Sequence, residues 1–203
     1  KGEGIVQDLE LGAKYLKLAA EKGLKEAQFN YARMLFRGEG VVQDLELATK
    51  YFKLGADQGH TGAQYNYAFM FGKGEGVDQD FEIAAKYFKL AADQGHLNAQ
   101  YNYALTLCED ECIVQDFELA AKYFKLAADR GHAGAQFNYA RMLYEGEDIF
   151  QDLELGAKYL KLAADQGHVG AQYEYAIKLL EGDEIEQDIL KAQEDFTMAA
   201  DQG

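Results

Sequence analysis

Three residue types are missing from this 203-residue chain: proline, tryptophan and serine. Without serine there is no serine nucleophile, and a composition this biased is typical of sequences built by duplicating one short unit. Cysteine is scarce as well, because only Cys108 and Cys112 occur, so no disulfide framework recurs along the chain. The composition therefore favours a repeat protein over a serine-dependent enzyme.

Positively charged residues are also in the minority, 20 against 35 acidic ones, which gives a net charge of −15. Such a field repels the phosphates of nucleic acids and of anionic lipids, so we expect neither as a partner and favour a protein with a basic segment. No run approaches the roughly 20 apolar residues of a membrane span, and we expect no membrane insertion. A cytoplasmic location is the default expectation, and an exported protein with one local disulfide is the alternative.

What the chain does contain is one unit repeated without insertion or deletion. A glycine recurs every 36 residues, and 23 of 36 positions are identical between residues 59–94 and 131–166. Identity at this level indicates duplication. We predict a single domain over residues 1–203, in which a partial repeat at 1–22 is followed by repeats at 23–58, 59–94, 95–130, 131–166 and 167–203.

Each unit predicts two helices joined by a short turn. Apolar residues return at spacings of three and four over Ala27–Arg37, which predicts the first helix, helix A. Glycines follow in the turn, and Asp44 is placed to cap a second helix, helix B, over Leu45–Asp57. Both helices carry an apolar stripe, so the hairpins must stack on one another. The predicted fold class is all-α: an α-solenoid of about five and a half antiparallel helix hairpins.

The framework positions of one unit are Ala63, Tyr67, Ala68, Gly74, Gly76, Val77, Asp80, Ala84, Ala85, Ala91, Ala92 and Gly95. This pattern resembles the Sel-1-like repeat, an α-solenoid family related in architecture to tetratricopeptide repeats. The tetratricopeptide pattern itself fits less well, because it has about 34 residues per unit. The family's usual Leu-Gly pair in helix A is Tyr-Ala here, as at Tyr103 and Ala104. The resemblance implies an adaptor that holds other proteins in complexes, and it leaves the partner open.

Helix A carries three candidate columns for partner binding. An asparagine amide both donates and accepts, so the asparagine column could hold the backbone of an extended peptide; the alternative is a framework bond between hairpins. Two columns on the same helical face vary between repeats and are candidate specificity positions, with relaxed variation on a solvated face as the alternative. The three columns are Asn30, Asn66, Asn102 and Asn138; Arg33, Phe69, Leu105 and Arg141; and Arg37 and Lys73.

Histidine and cysteine offer the remaining candidates. A histidine begins helix A once per repeat, too far from the next for one metal ion with bonds of about 2.0 to 2.1 Å. We therefore interpret the histidines as helix caps, and we expect no metal and no other cofactor. Cys108 and Cys112 are expected as thiols, with a local disulfide between them as the alternative. The four histidines are His60, His96, His132 and His168.

Together these patterns predict a non-catalytic scaffold or adaptor that binds a peptide or protein in the groove lined by helix A. The main alternative is a structural spacer, or a segment that self-associates through the ends of the solenoid. An enzyme that uses a cysteine or binds a small molecule is a weaker alternative, because Cys108 has no histidine beside it in the sequence.

Overall fold

The computed structural model of the protein describes residues 8–109, 114–146, 149–182 and 186–202. Within these ranges the chain is all-α, as the repeat pattern predicts. Even-numbered helices are helix A of successive hairpins, and odd-numbered helices are helix B. The helices are α1 (Leu9–Glu21), α2 (Lys25–Arg37), α3 (Leu45–Asp57), α4 (Thr61–Lys73), α5 (Phe81–Asp93), α6 (Leu97–Cys108), α7 (Phe117–Ala128), α8 (Ala133–Glu145), α9 (Leu153–Asp165), α10 (Val169–Glu181) and α11 (Ile189–Ala200).

Helix B begins at an aspartate in every hairpin that the structure describes. Oδ1 of Asp44 accepts a hydrogen bond from the backbone N–H of Leu47 at 2.9 Å, which satisfies one of the free donors of the first turn. The predicted cap is therefore confirmed, and α3 has the predicted bounds. The same bond is made by Asp8, Asp80, Asp116, Asp152 and Asp188.

Helix A begins at a histidine, as the sequence predicts. Nδ1 of His60 accepts a hydrogen bond from the backbone N–H of Ala63 at 3.1 Å, and its ring stacks on Phe29 with the ring centroids 4.4 Å apart. Because Nδ1 is the acceptor, the ring must be neutral for the cap to form. His132 and His168 make the same cap at 3.1 and 3.2 Å, whereas Leu24 begins α2 without a side-chain cap.

The turn from helix A to helix B depends on glycine. Gly74 ends α4 in the left-handed conformation, with φ at 69°. Gly76 also has positive φ, 74°, and lies so close to α3 that a Cβ atom there would be 2.4 Å from Cβ of Leu45. Asp80 then donates its backbone N–H to the carbonyl oxygen of Phe71, which closes the turn before α5 begins.

The chain forms two compact units, Lys1–His96 with α1 to α5 and Leu97–Gly203 with α6 to α11. Within each unit every helix packs against the next along the chain, which gives the stacked hairpins of an α-solenoid. Alanines such as Ala68 and Ala84 are fully buried and let the helices approach closely. Aromatic residues fill the remaining space, as in the edge-to-face pair of Tyr67 and Tyr87, whose ring centroids are 4.7 Å apart.

A buried glutamine connects three helices in the hairpins of Gln28, Gln64 and Gln136. Gln64 of α4 is 4% exposed; its Nε2 donates to the carbonyl oxygen of Ala56, at the end of α3. Its Oε1 accepts from Nε2 of Gln94, just after α5, at 2.6 Å. The equivalent residues, here called the glutamine column, are Gln28, Gln64, Gln100, Gln136 and Gln172, all buried.

None of the helices in the part of the chain that the structure describes has the length and apolar character needed to span a membrane.

We expect Gly76→Ala to destabilise the protein more than Gly59→Ala. Both glycines have positive φ, 74° and 78°, but a Cβ atom at Gly59 would meet nothing within 4 Å. The matched variant Gly59→Ala should therefore cost only the backbone strain, about 1 kcal/mol. Gly76→Ala adds the overlap with Leu45, about 1–3 kcal/mol more. Urea unfolding measures both values, and equal losses would contradict the contact described here.

The histidine caps should make stability depend on pH. Burial lowers the pKa of His60, His132 and His168 in the folded protein, so the unfolded chain binds more protons. The stabilisation is complete above the unfolded pKa of about 6.5 and is lost as pH falls toward the lower folded pKa. Each lost cap costs about 1 kcal/mol.

Thermal unfolding followed by circular dichroism should show Tm falling between about pH 7.5 and about pH 5.5. The triple variant with His60, His132 and His168 changed to Asn is the control, because asparagine caps helices without titrating. Its Tm should fall clearly less over that interval than the Tm of the unchanged chain, because only His96 is left to titrate. An equal fall in the variant would assign the pH dependence to other groups.

Candidate functional site

The predicted partner-binding residues all lie on helix A, in α2, α4, α6 and α8. Each helix turns its alanines and its buried glutamine inward and leaves the three columns partly or fully exposed. In the asparagine column, Asn30 is exposed, and Asn66, Asn102 and Asn138 are half-buried. We refer to the surface formed by these columns within each unit as the groove face.

Two asparagines of the groove face are already hydrogen-bonded within the protein. Nδ2 of Asn66 donates to the carbonyl oxygen of Gly62, one turn earlier in α4, at 2.7 Å. The side chain of Asn138 is hydrogen-bonded to the hydroxyl of Tyr101, which belongs to the preceding helix A. Burial raises the pKa of Tyr101, and the bond from Asn138 opposes that rise. A framework bond between hairpins is therefore formed at Asn138, and partner binding by this column stays a prediction.

A pocket of about 210 Å³ opens on the groove face of the second unit. Leu105 of α6 and Met142 of α8 form its walls, and Phe117 and Phe124 of α7 lie between them. Asn138 lines the pocket as well. We call this the groove pocket, and its mostly apolar wall suits the side chain of an apolar residue.

The same arrangement occurs in the first unit. A pocket of about 340 Å³ is lined there by Leu9 and Leu16 of α1 and by Asn30, Arg33 and Met34 of α2. Each of these residues lies 108 residues, or three repeats, before its counterpart at the groove pocket. The pocket therefore recurs at equivalent positions in the two units, and the preceding helix A adds Leu105 and Cys108 to it in the second unit.

Charged residues of the variable columns contact neighbouring side chains at the protein surface. Arg141 Nη2 lies 3.1 Å from Oε1 of Glu145, one turn along α8, with both side chains about half exposed. A pair this exposed contributes little to stability. Arg33 lies over the ring of Phe29, 5.5 Å from its centroid. These partly or fully exposed side chains therefore form a polar rim that a partner can rearrange at low cost.

The remaining members of the variable columns occupy similar positions. Arg37 Nη1 lies 3.5 Å from Oε1 of Glu39, where α2 ends. Phe69 packs on Tyr65 of the same helix, with ring centroids 6.3 Å apart, and is partly buried. Lys73 is exposed in the last turn of α4. The two variable columns together therefore present aromatic and basic side chains in the first unit.

The fifth repeat departs from the asparagine column at Glu174 of α10, a half-buried residue. Burial raises the pKa of Glu174, the nearby charges of Arg141 and Lys178 lower it, and the charge of Glu145 raises it again. A carboxyl group in these surroundings gains most from a cation placed beside it. The second unit therefore presents an acidic position next to its apolar groove pocket.

Cys108 also lines the groove pocket and is partly buried. Cys112 lies outside the described residues, so the predicted choice between thiols and a local disulfide stays a prediction. Among the residues that the structure describes, no group of three or more His, Cys, Asp or Glu side chains is placed to hold a metal ion. The histidines instead cap helices, as described above.

Two features of the structure were not predicted from the sequence. The burial of the glutamine column was not predicted because glutamine is usually a surface residue. The Ala-Gln pair that occurs in all five complete repeats is a signal that could have indicated it. The groove pocket was not predicted because its lining residues come from three different helices, α6, α7 and α8. Phe117 and Met142 belong to neither the asparagine column nor the variable columns, so no pattern within helix A reveals them.

Comparison with protein families identifies the repeat. A family model described as "Sel1 repeat" matches six times, at residues 1–24, 25–60, 61–96, 97–132, 133–168 and 169–203. The last five of these ranges begin two residues after the repeats predicted from the glycine spacing. A comparison with curated proteins gave no match.

Solved structures show the same fold. A Sel1 repeat protein from Oxalobacter formigenes is 22% identical with a TM-score of 0.83, over 97% of this chain and 83% of that one. A protective antigen of uropathogenic Escherichia coli with an SLR fold is 25% identical, with a TM-score of 0.58; all of this chain matches 51% of that one. The immunity protein Pa5087 from Pseudomonas aeruginosa is 17% identical, with a TM-score of 0.51, over 97% and 75% of the two chains.

Proposed function

This chain belongs to the Sel1 repeat family, whose members generally serve as scaffolds for protein–protein interactions, and we propose that it binds its partner on the groove face. The partner is a protein or peptide segment that lies along helix A and places an apolar side chain in the groove pocket. The chain acts as a non-catalytic adaptor. Partner recognition by short segments of this kind commonly combines one buried apolar anchor with polar contacts around it.

The groove pocket is the observation that carries this proposal. It is concave, its wall is formed by Leu105, Phe117, Phe124 and Met142, and it repeats at the same position in the first unit. Pockets with an apolar wall and a few polar groups at the edge are the usual form of binding sites. Asn138 and the pair of Arg141 and Glu145 supply those polar groups.

Charge favours a partner that is basic next to its apolar anchor. The net charge of −15 attracts a basic segment, and the half-buried carboxyl group of Glu174 gains from a cation beside it. Electrostatic attraction of this kind mainly increases the association rate and is screened by salt. The apolar anchor is therefore expected to supply most of the affinity and the basic residues the selectivity.

A peptide selection on the intact chain tests this assignment. Peptides selected from a random displayed library should contain an apolar residue beside Lys or Arg, and their Kd is measured by fluorescence anisotropy. Leu105→Asp places a charge in the groove pocket and should weaken binding at least about tenfold. A rise from about 0.05 M to about 0.5 M NaCl should weaken it further.

Leu126→Asp is the matched control for this experiment. It makes the same change on α7 at a residue that is 41% exposed and does not line the groove pocket. The control should bind the selected peptides as the unchanged chain does, and circular dichroism establishes that both variants are folded. Equal affinities for Leu105→Asp and the unchanged chain would move the binding site away from the groove pocket.

A further inference from the structure

In the internal repeats, a tyrosine of helix B is hydrogen-bonded to an aspartate of the preceding helix B. Tyr87 Oη donates to Oδ1 of Asp57 at 2.9 Å, and Tyr159 makes the same bond to Asp129. The other carboxylate oxygen of Asp57 is bonded to a lysine, with Lys53 Nζ 2.6 Å from Oδ2. Both carboxylate oxygens of this aspartate are thus hydrogen-bonded.

The last repeat has Asp195 in place of this tyrosine. The aspartate of the preceding helix B is here Asp165, equivalent to Asp57. It keeps its lysine, with Lys161 Nζ 3.0 Å from Oδ2, but the tyrosine hydroxyl that would bond Oδ1 is replaced. Asp195 is 2% exposed, and its Oδ1 lies 3.0 Å from Nζ of Lys191. Its Oδ2 has no hydrogen-bond partner among the described residues. A buried carboxylate oxygen without a donor is costly, so this position favours a ligand that donates.

A cavity of about 490 Å³ lies beside Asp195, at α9, α10 and α11. Three carboxylates line it, those of Asp165, Asp195 and Asp201, together with amides such as those of Gln166 and Gln172 and the ammonium group of Lys191, which is paired with Asp195. The lining residues are different from those of the groove pocket. The cavity therefore combines two aspartates from neighbouring B helices, each with one oxygen held by a lysine.

We infer that this cavity, which we call the carboxylate site, binds a guanidinium group. A guanidinium carries five N–H donors in one plane and pairs with two carboxylates at once, here those of Asp165 and Asp195. A metal ion is a poorer fit, because the described residues place no group of three or more metal-binding side chains together. The guanidinium belongs either to a small molecule or to an arginine of a partner protein.

Calorimetric titration of the complete chain tests this inference. Agmatine supplies a free guanidinium, the tripeptide Gly-Arg-Gly supplies an arginine side chain, and Gly-Gln-Gly is the uncharged control. At least one guanidinium probe should bind with a Kd of about 1 mM, as expected for a ligand of this size. Asp195→Asn should weaken that binding at least about tenfold, because it removes the charge and keeps the shape.

Two further variants separate binding from folding. Glu194→Gln removes the same charge from the neighbouring residue, whose side chain is 68% exposed, and should change Kd by less than about twofold. Asp195→Tyr restores the residue of the other repeats. It should abolish binding and raise Tm, because the ring fills the cavity and its hydroxyl bonds Asp165.

The outcomes are distinct. Tighter binding of agmatine indicates a small-molecule ligand, and tighter binding of the arginine tripeptide indicates a protein ligand; both support the carboxylate site. No binding of either guanidinium probe up to about 10 mM would overturn it. Equal effects of Asp195→Asn and Glu194→Gln would overturn it as well. A higher Tm for Asp195→Tyr without any binding to the unchanged chain would show that Asp195 only replaces a packing residue, which also overturns the inference.

Discussion

The buried amide of the glutamine column is the interaction on which the rest of this structure depends. Gln64 has to satisfy a donor and an acceptor away from water, and it does so with Ala56 before it and Gln94 after it. An amide that lost either partner would be buried unsatisfied, at a cost of about 1–3 kcal/mol. Apolar stacking alone would let the helices slide, whereas this bond fixes the register of helix A against both neighbouring B helices.

Because the glutamine column and the alanines fix the framework, the remaining surface of helix A is free to vary. The groove face can therefore carry Arg33 in one repeat and Leu105 in another without changing how the hairpins pack. The same logic holds on helix B, where Asp195 replaces a tyrosine and the helix still forms between its usual caps. In a repeat protein, residues that are the same in every repeat mainly pack the hairpins together. Functional residues are therefore expected where one repeat differs from the others.

The sequence was sufficient for the architecture because each local signal agrees with the others. The glycine period, the apolar spacing and the caps Asp44 and His60 all predict the same hairpin, and the structure has it. The site was harder to predict, because side-chain partners come from different helices. Asn66 is bonded within its own helix, and the groove pocket needs Phe117 from helix B. Buried Gln64 could be recognised only through its recurrence.

The spacing of the amide's partners has a consequence for how such a gene changes. Gln64 reaches back 8 residues, to the end of the preceding repeat, and forward 30 residues, to the end of its own repeat. Recombination that adds or removes a whole 36-residue segment would leave an amide such as that of Gln64 with both of its partners. A segment of any other length would leave one buried amide unsatisfied at the junction. Selection for folding alone is therefore enough to keep insertions in multiples of the repeat, and the length of the array becomes the easiest property to change.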